Sequence, residues 1–104
     1  MKTFKFIKIS KPAESDLKDI ADYTSQQWGS KQKKVYLGLI KQSFLKLCQD
    51  GVVATILIKD RKDIDIGLFS YQIGKHIVYF RETDTEILII RILHSQMDPE
   101  KHLI

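Results

Sequence analysis

A chain of 104 residues, 43% hydrophobic and 29% charged, has apolar side chains for one core and too few residues for two. This makes 1–104 a single folded domain and excludes wholesale disorder. The formal net charge of +4 favours acidic partners, nucleic acid or an acidic protein segment, although the lysines are scattered and form no arginine-rich run. No apolar run approaches the roughly 20 residues that span a bilayer, and the opening MKTFKFIKIS alternates lysine with apolar residues where a signal peptide would build an apolar core; no membrane is expected, and the expected location is the cytoplasm.

In chain order, Phe4 to Ser10 alternates as a strand with two unequally buried faces. Pro12 suits the first turn of a helix, where its missing N–H costs nothing, and Glu14 and Asp16 suit the positive end of the helix dipole. Leu17, Ile20, Ala21, Thr24 and Trp28 then form one apolar stripe, and Gly29 ends the helix as a C-cap. Ser30 is expected to cap a second helix with the stripe Tyr36, Leu37, Ile40, Phe44, Leu47 and Cys48, Ser43 being small enough to lie inside it. The short connection makes the two helices an antiparallel hairpin, whose stripe requires a third surface. Cys48, the chain's one cysteine, excludes an internal disulfide and reads as a small buried residue. Val35 and Leu39 fall at the edge of the second stripe, as solvent-exposed aliphatics or a partner contact.

Val52 to Ile66 reads as a loop with a short extended piece, since the strand-like VVATILI runs into the charge-dense KDRKDIDI. Leu68 to Ile73, His76 to Arg81 and Glu86 to Leu93 are strands, joined at Gly74-Lys75 and at Glu82 to Thr85. The last, EILIIRIL, is apolar on both faces and is expected to be central, with Ile87, Ile89 and Leu93 on one side and Leu88, Ile90 and Ile92 on the other. Arg91 shares the first of these faces and must be paired, or its stem must reach water. Asp98-Pro99-Glu100 starts a final helical turn that ends near Leu103. The fold class is therefore α+β with the order β-α-α-β-β-β: an N-terminal strand and helical hairpin packed on a mainly antiparallel sheet, closed by a short C-terminal helical turn.

The chain contains no phosphate-binding glycine loop, HExxH, paired CxxC or GxSxG, so the common nucleotide, zinc and serine-hydrolase classes lose support. His76, His94 and His102 lack metal-ligand spacing, and no metal or other cofactor is expected. Metal-free RNA cleavage needs a base, an acid and a cation for the phosphorane charge; Arg81, Arg91 and His94, with Tyr79 or Tyr71, are the candidates. Strict alternation places Arg91 and His94 on opposite faces, and the competing expectation is that Arg91 pairs a carboxylate while His94 is hydrogen-bonded at the strand end. Lys59, Arg61 and Lys62 form one basic cluster, interrupted by Asp60 and Asp63, and Lys31, Lys33 and Lys34 form another.

Four segments carry a family resemblance: KPAESDLKDIADYTSQQWG at 11–29, YLGLIKQSFLKL at 36–47, GLFSYQIGKHIVYFR at 67–81 and ILIIRILHSQMDPEKHL at 87–103. In this order they resemble the ParE toxins of ParDE type II toxin–antitoxin modules, within the RelE/ParE superfamily; LHSQMD followed by EKHL is the most specific piece. The resemblance implies a non-enzymatic toxin that poisons DNA gyrase and is neutralised by a ParD-like antitoxin in a hetero-oligomer. Its superfamily also implies the alternative, a ribosome-dependent mRNA endonuclease using Arg81, Arg91 and His94. The chain departs from the ParE pattern at Asp65-Ile66, where an Arg-Pro pair is usual, and at Phe69 and Gln96, each in place of an arginine; a third reading is a degenerate, non-toxic partner-binding module. Target-binding candidates are Lys59, Arg61, Lys62, Lys75, Arg81 and His94. Antitoxin-binding candidates are Trp28, Val35, Tyr36 and Leu39.

Overall fold

The computed structural model describes residues 4–50 and 58–103. Ser10 opens helix α1 (Lys11–Trp28): its side chain accepts from the Ala13 N–H at 3.1 Å, and Pro12 occupies the first turn. Gly29, at φ +89°, turns the chain between α1 and helix α2 (Ser30–Asp50). Ser30 is therefore the first helical residue and not the cap; the Gly29 carbonyl accepts the Lys33 N–H and opens α2.

Five strands form one mixed sheet in the order β1-β5-β4-β3-β2. Strand β1 (Phe6–Ile9) runs parallel to β5 (Glu86–His94), while β2 (Lys59–Asp60), β3 (Phe69–Ile73), β4 (His76–Glu82) and β5 are joined antiparallel. The short extended piece expected in the charged segment is β2; residues 51–57, with most of VVATILI, lie outside the described residues. Strand β1 is an edge strand, and Phe6 is 76% exposed. The expected buried face is missing there: Phe6, Ile7 and Lys8 are all exposed and only Ile9 is half-buried.

The helical hairpin covers one face of the sheet. Ala13 and Ile20 of α1 and Ile40, Phe44, Leu47 and Cys48 of α2 pack with Tyr71, Val78, Phe80, Ile87, Ile89 and Ile92. Inside this core Ser43 donates to the Ile40 carbonyl at 2.6 Å, leaving its oxygen to accept from the Tyr71 hydroxyl at 2.7 Å. A second cluster of Leu68, Tyr79 and Leu93, with Ile64, Ile77, Ile90 and Leu103 against it, lies under helix α3 (Pro99–Leu103) and the loop after β2.

The face assignment of β5 differs from strict alternation. Tyr79 pairs with Arg91 and Phe80 with Ile89, so Ile90 is an extra residue at a bulge. Ile87, Ile89 and Ile92 consequently share the main core, whereas Ile90 and Leu93 join the second cluster. One inserted residue reverses the parity of everything after it.

Candidate functional site

Where the helical hairpin passes the His76–His94 end of the sheet, it leaves an open groove of about 800 Å³. Helix periodicity places Asp16, Asp19, Ile20, Tyr23, Thr24 and Trp28 on one side of α1, and all six line the groove. Gln32 and Tyr36 enter from α2; Lys75, His76, Ile92 and His94 come from the sheet end, with Met97 and His102 beyond. Trp28, expected in the buried stripe, is 69% exposed because α1 ends at Gly29, past the part that buries Ile20 and Thr24.

Tyr36 fixes this end of the molecule. Its hydroxyl donates to the Ile73 carbonyl at 3.0 Å and lies 2.6 Å from His76 Nδ1. One phenolic proton serves one acceptor, so both contacts are complete when Nδ1 carries the imidazole proton. The Tyr36 ring rests on Gly74, where an added Cβ would come within 2.9 Å of it. His76 faces His94 across the ladder, ring centroids 5.5 Å apart, and the Gln96 N–H donates to His94 Nδ1 at 3.2 Å. Burial first, then the neighbouring His94, holds the His76 pKa below its ordinary value.

Of the two outcomes open to a charge in an apolar strand, pairing or a stem that reaches water, Arg91 shows the first. Its Nε and a terminal nitrogen donate to the two Asp16 oxygens at 2.8 and 2.9 Å, and its other terminal nitrogen donates to the His102 carbonyl at 3.1 Å. Asp16 also accepts the Ile92 N–H at 2.9 Å. This carboxylate therefore satisfies the edge of β5 beyond the reach of β1 while fixing α1 to it. Because the guanidinium reaches along that edge to α1, Arg91 and His94 both line the groove.

Arg61, Lys62 and Arg81 lie toward the opposite end of the β4–β5 ladder, and Lys59 lies on the edge strand level with its middle. Arg61 donates to both Asp63 oxygens at 3.1 Å, and its guanidinium lies 5.7 Å from the centre of the Tyr79 ring. Arg81 is held by Asp65 and donates to the Ile66 carbonyl at 3.1 Å. Lys59 is exposed on β2, and the Lys62 N–H is held by the Asp60 side chain at 3.0 Å. Arg61 also holds the Asp63 carboxyl below its usual range through their hydrogen bonds.

Of the three candidates for RNA cleavage, Arg91 and His94 thus share the groove, while Arg81 stands apart at the far end, engaged by Asp65. Among the target-binding candidates, Arg61, Lys62 and Arg81 belong to the far end with Lys59 beside them on the edge strand, and Lys75 and His94 to the groove. Trp28, Val35 and Leu39 are exposed, but Tyr36 is half-buried and its hydroxyl is engaged, a seam residue more than a contact surface. Sequence reasoning did not single out Asp16 or His76 for these positions: Asp16 suits a helix N-terminus by itself, and its partner lies 75 positions away. Among the described residues no group of three or more His, Cys, Asp or Glu could hold a metal ion, and no helix is long and apolar enough to cross a membrane.

Comparison with known proteins places this geometry in a family. The family model for the ParE toxin of the parDE type II toxin–antitoxin system matches residues 7–99. The chain is similar to Toxin ParE1 of Caulobacter vibrioides, 26% identical over 96 residues that span 92% of this chain and 95% of the relative. It is also similar to Toxin ParE of Escherichia coli, 28% identical over 92 residues that span 86% and 84%. Among solved structures, the chromosomal ParDE system from P. aeruginosa contains a chain that superposes with a TM-score of 0.71 at 20% identity, covering 88% of this chain and 97% of that one. The RelBE2 toxin–antitoxin complex from Mycobacterium tuberculosis gives 0.63 at 17% identity, covering 88% and 98%, and shares the fold. With the family model matching all but the two ends, the chain belongs to the ParE toxin family of type II toxin–antitoxin systems.

Proposed function

We propose that this protein arrests growth by binding DNA gyrase without itself catalysing a reaction, and that a ParD-like antitoxin holds it inactive in a hetero-oligomeric complex. Family membership over residues 7–99 carries the reading. The disposition of the cations supports a binding role: each arginine is paired with a carboxylate, and Arg81 is separated by the length of the ladder from His94. Metal-free RNA cleavage would bring its base, acid and cation together, whereas of Arg81, Arg91 and His94 only the last two share the groove.

The antitoxin contact surface in this reading is Trp28 with the outer side of α2, where Val35 and Leu39 are 52% and 50% exposed. The gyrase surface is the Lys59, Arg61, Lys62 and Arg81 end of the sheet. The deciding experiment adds purified protein to a gyrase supercoiling reaction. Inhibition with accumulation of cleaved DNA is expected; unaffected supercoiling overturns the target. Primer extension on translated mRNA runs in parallel, and codon-positioned cuts lost in His94→Ala would assign the endonuclease reading instead. Normal growth on induction without antitoxin would mark a non-toxic binding module.

A further inference from the structure

The His76–His94 pair keeps two ring nitrogens that no contact among the described residues uses. The two residues stand directly opposite across the β4–β5 ladder, their ring centroids 5.5 Å apart and nearly edge to face. Both Nδ1 atoms are committed. The Tyr36 hydroxyl donates to the Ile73 carbonyl and accepts from His76 Nδ1, while His94 Nδ1 accepts the Gln96 N–H. In the neutral rings, His76 Nε2 is therefore a bare acceptor and His94 Nε2 carries the proton. Neither Nε2 has a hydrogen-bond partner among the described residues, and neither is shut off from solvent. Both residues line the groove.

An acceptor beside a donor becomes two donors on taking up one proton, and two N–H groups on facing rings suit the two oxygens of a carboxylate. The surroundings favour that anion. Lys75 adjoins the pair in the β3–β4 turn and His102 lies on α3, whereas Arg91 and Asp16 neutralise each other and Asp19 is the other acid of the groove lining. Burial, then His94, disfavours a proton on His76, and a bound anion offsets that cost. We propose that the His76–His94 pair binds the carboxylate of an aspartate or glutamate side chain on a partner protein, His76 taking up one proton at Nε2 as it binds. Ile20, Tyr23, Ile92 and Met97 make much of the remaining lining apolar, which fits a protein segment carrying one acidic side chain. A nucleic-acid strand would instead bring a run of phosphates past Asp19. Two copies of this chain at +4 repel, so the donor is a different protein.

The inference rests on the preceding reading only in requiring a protein partner; it names the side chain that partner must supply. The experiment follows the imidazole C–H signals of His76 and His94 by NMR. The protein is titrated with N-acetylglutamate α-amide, with its neutral isostere N-acetylglutamine α-amide, and with inorganic phosphate. Saturable shifts of both rings are expected with the carboxylate, and binding about fivefold or more weaker with the carboxamide and with phosphate. Affinity for the carboxylate should fall toward tenfold per unit as the pH rises from about 6 to about 7.5, the mark of one coupled proton. His94→Gln should weaken carboxylate binding about tenfold, and His76→Gln should remove its pH dependence, with melting temperatures checking that each variant is folded. Equal responses to carboxylate and carboxamide, an affinity independent of pH, tighter binding of phosphate, or no saturable response overturns the proposal. The supercoiling assay uses none of these probes, so failure of the gyrase reading and failure of this subsite are read separately.

Discussion

Two arginine–aspartate pairs show how burial decides what a charge contributes. The side chains of Arg91 and Asp16 are 21% and 11% exposed, and Asp16 also satisfies a backbone N–H. Asp16→Ala would leave a part-buried guanidinium without its carboxylate and the Ile92 N–H without a partner, and should destabilise the protein by about 2–4 kcal/mol in urea unfolding. Arg81 and Asp65 are 35% and 62% exposed, where an ion pair contributes within about 1 kcal/mol. Asp65→Asn should leave the urea midpoint nearly unchanged while freeing Arg81. If the proposed gyrase reading holds and Arg81 contacts that target, the same variant should strengthen inhibition of supercoiling by about threefold or more. The sequence left Arg91 either to be paired or to reach water; it did not show the pairing with Asp16, because a contact across 75 positions depends on how α1 docks on β5.

At the scale of elements, the seam between α2 and the β3–β4 turn is set by Gly74 and Tyr36. Gly74 has φ +54°, and an added Cβ would meet the Tyr36 ring at 2.9 Å. Gly74→Ala should destabilise by about 1–3 kcal/mol, and a double-mutant cycle with Tyr36→Leu should recover the steric part and leave the backbone part. His76 beneath this seam gives stability a pH dependence. With the His76 pKa lowered in the fold by burial and by His94, the unfolded chain binds more protons between the depressed value and the ordinary 6.5. Stability is therefore fully present above 6.5 and falls as the pH drops below it. Urea midpoints measured from about pH 7.5 to about pH 5.5 should show this slope, and His76→Gln should flatten it. The turn at Gly74 was legible from glycine alone. The bulge at Ile90 was not, because EILIIRIL is apolar throughout and carries no alternation against which an inserted residue would register.

For the whole molecule, the exposed outer side of α2 is where partner binding and folding separate. Val35→Asp or Leu39→Asp should weaken antitoxin binding about tenfold or more in a pull-down titration while moving the melting temperature little, because neither side chain belongs to the core. An unchanged affinity would place the antitoxin elsewhere. What the sequence by itself determined is the order of elements, the α2 stripe that reaches the core at Ile40, Phe44 and Leu47, and the family, because periodicity and the LHSQMD ending are local properties of the chain. Only the tertiary structure decided which charges remain available. Asp16 is occupied by Arg91 and Asp65 by Arg81, while Asp19 of the same helix lines the groove without such a partner among the described residues. The physical reason is that periodicity needs only neighbours along the chain, whereas the pairing of a charge depends on what the fold brings within about 3 Å of it.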